Sequence, residues 1–366
     1  MKVFYDHLCF WQKYGGVPRY FVEIMKRIPP ELYILGVDVS NNEYLKDLHC
    51  KYNYFLPNIN FRGKPRVEAE IGKLFNIPRM MAGKFDIYHQ THYDMYAYRY
   101  LSKTKKKVTT IHDLNYFVEG KFYQGNIGYA RSMRQQERSI LESDHIITVS
   151  MKTKEDLCKL FHVSEEKITT IYHGVDKNIF SCKEDVEDFQ QKDQFVLFVG
   201  RRNMQKNFKN LCFAFKNISA RYPHIKMYCA GQAFTNIELE MLRSLGIGEK
   251  VLSFAVDDKR LASLYRKALL FIFPSFYEGF GMPILEAMSC NCPVLLSNVS
   301  CFPEVAGDAG CYFDPYSIDD MTEKMEYVIE HPTYRDELIQ KGSERVKDFS
   351  WERCAEEHLK VYQSLI

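Results

Sequence analysis

Residues 271–298 read FIFPSFYEGFGMPILEAMSCNCPVLLSN. The apolar run from Leu269 to Pro274 has the length and β-rich composition of a buried parallel strand. It breaks into a loop carrying Gly279 and Gly281. Pro283 suits the first turn of a helix, and Ile284, Leu285, Ala287 and Met288 give that helix an apolar face. Pro293–Leu296 predicts a second strand. Two carboxylates punctuate the unit: Glu278 in the loop and Glu286 in the helix. In open α/β sheets, ligands bind outside the carboxyl ends of strands, where helix N-termini point. A carboxylate can accept two hydroxyl hydrogen bonds at once, as a vicinal diol offers. Glycines, a helix end and two acceptors together predict a ligand with hydroxyls and phosphates, such as a nucleotide sugar. Paired carboxylates also serve glycoside hydrolysis, but basic loops elsewhere favour a phosphate-bearing substrate.

Those basic loops lie upstream. Phe195–Val199 predicts a strand, and residues 200–207, GRRNMQKN, a loop before a helix with apolar Phe208, Leu211, Cys212, Phe215 and Ile218 at spacings of three and four. Arg201, Arg202 and Lys206 put three cations at the ligand end of that strand. Guanidinium pairs phosphate bidentately, and an ammonium adds a point charge. The P-loop pattern GxxxxGK[ST] is missing. Further strands are predicted at Lys226–Ala230, Val251–Val256 and Cys311–Phe313.

The front half repeats the alternation. Strands are predicted at residues 2–5, Leu32–Val37, Tyr52–Leu56, Phe85–His89, Val108–Ile111, His145–Ser150 and Ile168–Tyr172. Gly15-Gly16 precede a helix with Tyr20, Phe21, Ile24, Met25 and Ile28 on one face, a turn that lets backbone N–H groups approach an anion. GxGxxG is absent, which argues against a paired-Rossmann oxidoreductase. His112 ends a buried strand and faces a ligand end. Strands alternating with helices in both halves predict two parallel-sheet α/β domains. A polar stretch reads as the linker. The division is 1–176, linker 177–193, 194–350, and a closing helix 351–366.

Composition bounds the rest. The chain has 366 residues and a net charge of +2, so nothing asks for nucleic acid. Residues 1–180 carry 27 Lys+Arg against 20 Asp+Glu, leaving 49−27=22 against 47−20=27 for the remainder. A basic front half, with the run Lys103-Thr-Lys-Lys-Lys107, fits an anionic acceptor or peripheral association with a membrane surface; ordinary surface scatter is the other reading. Eleven cysteines without a CxxC pair point to a reducing, cytoplasmic compartment, with Cys290 and Cys292 as core thiols. No signal-peptide or membrane-spanning run is evident. Asp257-Asp258 and Asp319-Asp320 read as helix starts rather than metal ligands, so no metal is expected.

The stretch from PSFYEGFGMPILEAM through VSCFPEVAGDAGCYFDP resembles the signature region of retaining nucleotide-sugar glycosyltransferases of family 4, with Glu278 and Glu286 as the Glu-x7-Glu motif. YGGVPRYF, TIHDL, HIITVS, IYHGVD, FVGRRNMQKN and VDDKRLASLYRKA follow in the family's order. The subset resembled is the bacterial mannosyltransferases of polysaccharide and lipopolysaccharide assembly.

The resemblance implies a GT-B fold, two Rossmann-like domains facing across a cleft, with the final helix returning to the first domain. It implies that Glu286 binds ribose hydroxyls and that Glu278 holds the transferred sugar beside the backbone of Gly279, Phe280, Gly281 and Met282. Lys206, with Arg201 or Arg202, neutralises the diphosphate. Gly15 and Gly16 approach the diphosphate, His112 sits at the reaction centre, and Val256 lies near the base. The implied activity is metal-independent transfer of a hexose, mannose from a GDP-sugar ahead of a UDP-sugar, to a glycan or lipid-linked glycan acceptor, in the cytoplasm or at the inner membrane face. The alternatives are a UDP-sugar enzyme with a small-molecule acceptor and a catalytically silent GT-B binding protein.

Overall fold

The computed structural model describes residues 1–48, 50–123, 127–181 and 193–366. It divides into two compact units, one comprising Met1–His173 with Ser350–Ile366 and the other Gly174–Phe349. Of the stretch read as a linker, Lys177–Phe180 is a short helix of the second unit, and residues 182–192 lie outside the described residues.

The first unit holds a six-stranded sheet of β1 (Val3–Tyr5), β2 (Tyr33–Leu35), β3 (Ile87–Gln90), β4 (Lys106–Ile111), β5 (His145–Thr148) and β6 (Ile168–Thr170), in the order β2-β1-β3-β4-β5-β6. Every pair is parallel. β3 and β5 are buried throughout, as strands covered on both faces must be. The chain leaves β1 to one side for β2 and to the other for β3. That reversal is the switch point at which such sheets open a crevice. Helix α1 (Gly16–Met25) follows β1, and α2 (Lys64–Ala82) precedes β3.

Tyr52–Leu56 is not a strand. Asn53 makes a single parallel bridge to Val39, while Tyr54 and Leu56 are exposed and Leu56 has φ 43°. A β-rich composition without a buried face has no sheet to join.

The second unit has β7 (Phe195–Val199), β8 (Lys226–Ala230), β9 (Val251–Phe254), β10 (Leu270–Phe273), β11 (Val294–Ser297) and β12 (Gly310–Phe313), in the order β12-β11-β10-β7-β8-β9, again all parallel. Helix α3 (Phe208–Arg221) buries Phe208, Leu211, Cys212, Phe215 and Ile218, the periodic face read in the sequence. Helix α4 (Asp258–Lys267) leads into β10, and α5 (Met282–Ser289) leaves it. Cys290 and Cys292 are buried. Here the switch point falls between β7 and β10, so their two loops emerge side by side. The two architectures are those of a GT-B protein, one Rossmann-like sheet in each unit.

Helix α6 (Trp351–Ser364) is capped by Ser350, whose hydroxyl accepts from Arg353 N–H at 3.1 Å. It completes the first unit through buried polar contacts. Tyr362 hydroxyl lies 2.8 Å from Tyr5 hydroxyl and 2.6 Å from His89 Nδ1. His358 Nε2 lies 2.6 Å from Tyr20 hydroxyl, and Thr110 Oγ1 joins His89 Nε2 at 2.9 Å.

Candidate active site

The loop after β7 and the loop after β10 are bonded to each other. Gln205 Nε2 donates to Tyr277 O at 2.6 Å, and Phe276 N–H donates to Gln205 O at 2.9 Å. Asn203 begins the turn by accepting from Lys206 N–H at 3.2 Å. Asn207 then takes φ 56° and anchors its amide on Pro315 O at 2.8 Å. This frame delivers Lys206 Nζ to 2.5 Å from Glu278 Oε1, with the ammonium 4.9 Å from the Phe273 ring centroid.

Glu278 is fixed from behind by Ser300, which sequence reasoning did not single out. The Ser300 hydroxyl donates to Glu278 O at 2.6 Å and accepts from Glu278 N–H at 3.1 Å. Ser300 has φ 58°, unusual for a residue with a side chain. The signal available beforehand was a Ser/Asn-rich turn, SNVS, ahead of Pro303.

Gly279, Phe280 and Gly281 are buried. Gly281 caps α5 at φ 85°, and a Cβ there would lie 3.1 Å from Ile284 Cδ1 and 3.3 Å from the Phe302 ring, so glycine is needed on both conformational and steric grounds. Met282 is the first residue of α5, with Pro283 after it. The helix N-terminus, with its partial positive charge, therefore opens beside Glu278. The Phe280 ring packs on Phe349 at 5.8 Å, so its side chain serves the core. Glu286 is buried and accepts from Tyr265 hydroxyl at 3.4 Å.

The two arginines part company. Arg202 Nε donates to Glu238 Oε1 at 2.7 Å, its NH2 group donates to Ala233 O at 2.9 Å, and the guanidinium covers the Phe234 ring at 4.6 Å. Burial pushes the Glu238 carboxyl up, but bonds from Arg202 and Thr235 outweigh it and hold the carboxyl below its ordinary value. Arg201 is exposed. Val256 is half-buried beyond β9, next to Asp257, which caps α4 by accepting from Arg260 N–H at 2.9 Å. Asp319 and Asp320 lie in the first turn of the helix Ile318–Glu330. Among the described residues, no group of three or more His, Cys, Asp or Glu is set to hold a metal.

In the first unit, Gly16 opens α1 and Gly15 precedes it with extended backbone. A Cβ on Gly15 would come within 2.4 Å of Gln12 Oε1. His112 stands just beyond β4, its N–H donating to Tyr93 hydroxyl at 3.1 Å. Its ring meets Tyr20 edge-on at 4.9 Å, and Nε2 has no hydrogen-bond partner among the described residues. Burial, followed by the neighbouring His92 and His358, pulls the imidazole pKa down to about 3, so it is neutral at physiological pH. A pocket of about 440 Å³ in the same unit is lined by Trp11, Arg66, Lys73, His92, Asp94 and Arg131, among others.

Residues 182–345 match the family model described as glycosyl transferases group 1, and residues 14–178 the model described as Glycosyltransferase Family 4. The chain is 28% identical to O-antigen chain mannosyltransferase B of Escherichia coli, over 96% of each chain. It is 29% identical to O-antigen chain mannosyltransferase RfbU of Salmonella typhimurium, over 58% of this chain and 57% of that one. The fold matches sucrose-phosphate synthase of Thermosynechococcus elongatus with TM-score 0.77 at 18% identity, covering 100% of this chain and 99% of that one. It matches WaaG, a glycosyltransferase involved in lipopolysaccharide biosynthesis, with TM-score 0.73 at 14% identity, covering 99% of each. With two Rossmann-like units, the signature loop built around Glu278 and Lys206, and both halves matched in order, the chain belongs to the family 4 glycosyltransferases and is a glycosyl-transferring enzyme of the GT-B fold.

Proposed function

We propose that this enzyme transfers mannose from GDP-mannose, with retention at the anomeric carbon, to a glycan or lipid-linked glycan acceptor in cell-surface polysaccharide biosynthesis. The reading is supported by the relatives named as O-antigen mannosyltransferases, one of them matched over 96% of both chains. The observation that carries the chemistry is the Lys206–Glu278 pair beside the N-terminus of α5.

Breaking a sugar–diphosphate bond develops negative charge on the leaving nucleoside diphosphate. Lys206, Arg201 and the N-terminus of α5 meet that charge, and interactions that strengthen as it develops lower the barrier. We assign the guanidinium role to Arg201, because Arg202 is already engaged by Glu238. With cations supplied by side chains, the reaction needs no divalent metal. Glu286 accepts ribose hydroxyls. Glu278 accepts hydroxyls of the transferred sugar, while Lys206 turns from Glu278 towards the phosphates. Gly15 and Gly16 offer close backbone approach to the diphosphate. Neutral His112 hydrogen-bonds the donor sugar through Nε2 rather than acting as a general acid. Val256 contacts the base. The pocket lined by Trp11 and Arg131 receives the acceptor, with an aromatic wall for a sugar ring and charged groups for its hydroxyls. The enzyme works in the cytoplasm, at the inner membrane face.

Calorimetric titration with GDP and UDP tests the donor. GDP is expected to bind at least about tenfold tighter, a difference of about 1.4 kcal/mol; tighter UDP binding would favour a UDP-sugar enzyme with a small acceptor. Full activity in EDTA supports metal independence, and the anomeric configuration of the product, read by NMR, tests retention.

A further inference from the structure

Helix α2 is turned inside out. Its buried positions include Glu68, Gly72, Asn76 and Met80, and the polar ones have partners. Asn76 Nδ2 donates to Gly36 O and contacts His7 Nδ1, each at 2.7 Å, and Glu68 accepts from Asn41. Its outward face carries an apolar stripe flanked by charge: Val67, Leu74, Phe75 and Met81 are exposed, Leu74 and Met81 at 70%, with Arg66, Glu70 and Arg79 exposed beside them. At 100° per residue, Val67, Leu74, Pro78 and Met81 fall within an arc of about 60°. A helix in water normally presents the opposite pattern.

The preceding loop extends the patch with Tyr54, Leu56, Ile59 and Phe61. Eight of the nineteen exposed large apolar side chains among the described residues thus fall within residues 54–81, a concentration that marks an interaction surface. The charge of this stretch is one-sided. Residues 51–84 hold Lys51, Arg62, Lys64, Arg66, Lys73, Arg79 and Lys84 against Glu68 and Glu70; Lys73 pairs with Asp94 and Arg79 with Asp38, which leaves Lys51, Arg62, Lys64, Arg66 and Lys84 for the rim. The Lys103–Lys107 run adjoins the far end of α2, since a Cβ on Gly83 would lie 3.6 Å from Lys105 Cε.

We propose that α2 and the loop before it form a docking surface for an anionic lipid bilayer, with the apolar stripe entering the headgroup boundary and the basic rim meeting lipid phosphates. Charge decides between occupants. A second copy related by two-fold symmetry would bring this cationic face against itself, whereas an anionic leaflet complements it. No described helix is long and apolar enough to cross a membrane, so the contact lies on the surface. The inference does not rest on the donor or acceptor assigned above.

The test is flotation of the full chain with vesicles of phosphatidylcholine alone and of equal phosphatidylcholine and phosphatidylglycerol. Binding is expected with phosphatidylglycerol and weakened by salt. Leu74→Ser with Met81→Ser should lower it at least about tenfold, and Arg62→Glu with Lys84→Glu should lower it selectively on the anionic vesicles, both at unchanged melting temperature. Nucleotide binding should be unaffected in both variants, which separates this surface from the donor site. Absence of vesicle binding, or binding indifferent to both variants, overturns the proposal. So does a dimer in sedimentation velocity that the Leu74/Met81 variant dissolves, which would assign the face to a second copy.

Discussion

Lys206 and Glu278 stand 72 residues apart in sequence and 2.5 Å apart at Nζ and Oε1. Each neutralises the other until a donor arrives. The ligand must then exchange partners with both at once, diphosphate for the ammonium and sugar hydroxyls for the carboxylate. Lys206→Ala should weaken GDP binding at least about tenfold and lower kcat/KM by about 10²–10³. Glu278→Gln should leave GDP binding within a few-fold while lowering kcat/KM similarly. Calorimetry with GDP beside steady-state transfer kinetics separates the two. Equal GDP affinity in wild type and Lys206→Ala would reject the phosphate role.

The neighbouring arginines should separate stability from binding. Arg202 has a side chain only 5% exposed and bonds Glu238, so Arg202→Ala should destabilise by about 2 kcal/mol, much of it from Glu238 left with an unmet charge. Arg201→Ala should leave the melting temperature unchanged and weaken GDP binding about tenfold. Thermal unfolding and titration of both variants check the assignment; the reverse pattern would exchange their roles.

Ser300 is a positioning residue. Ser300→Ala removes both hydrogen bonds to the Glu278 backbone and keeps a Cβ at φ 58°. Ser300→Gly removes the same bonds without that strain, and should be about 0.5–1 kcal/mol more stable than the alanine variant. Both should lose about tenfold in kcat, with GDP affinity retained. Unequal activity in the two variants would tie the effect to backbone strain instead of the lost bonds.

The first unit should be sensitive to acid. Burial is the first cause lowering the pKa of His89, His112, His173 and His358, with His112 at about 3 and His358 at about 4. These groups are neutral when folded and protonate near 6.5 when unfolded. The unfolded chain therefore binds more protons below that value, and stability falls as pH drops. The contribution is complete above pH 6.5 and is lost progressively as pH falls towards 4, by up to about 2 kcal/mol per histidine at pH 5. Melting temperatures between pH 5 and 8 should show this slope, and His358→Gln should flatten it. The transfer rate should show no inflection from His112 across that range.

Much of this fold was legible because it is written in local signals. The apolar runs Phe195–Val199 and Leu269–Pro274 marked the strands on either side of the second switch point, and spacing of three and four marked α3. Tyr52–Leu56 misled because β-rich composition does not reveal whether a sheet edge is near. At the candidate site, residue types at a strand end pointed to Lys206 and Glu278. What sequence could not supply was partnership. Arg201 and Arg202 are adjacent and chemically identical, and what distinguishes them is Ala233, Phe234 and Glu238, brought around Arg202 by the turn of β8 into its helix. Ser300 was invisible for the same reason, since its importance lies in a contact made 22 residues from Glu278.

The return of α6 has a consequence for how the protein is made. During synthesis Tyr5, Tyr20 and His89 emerge early, but Tyr362 and His358, which complete their hydrogen bonds, emerge after the whole of the second unit. That second unit is contiguous and can close as soon as Phe349 is out. The first must wait, with buried polar groups still open to water, for partners 273 to 357 residues downstream. The half that is translated first is the half that finishes folding last, and a released chain ending before Trp351 holds one unit that can close and one that cannot be completed.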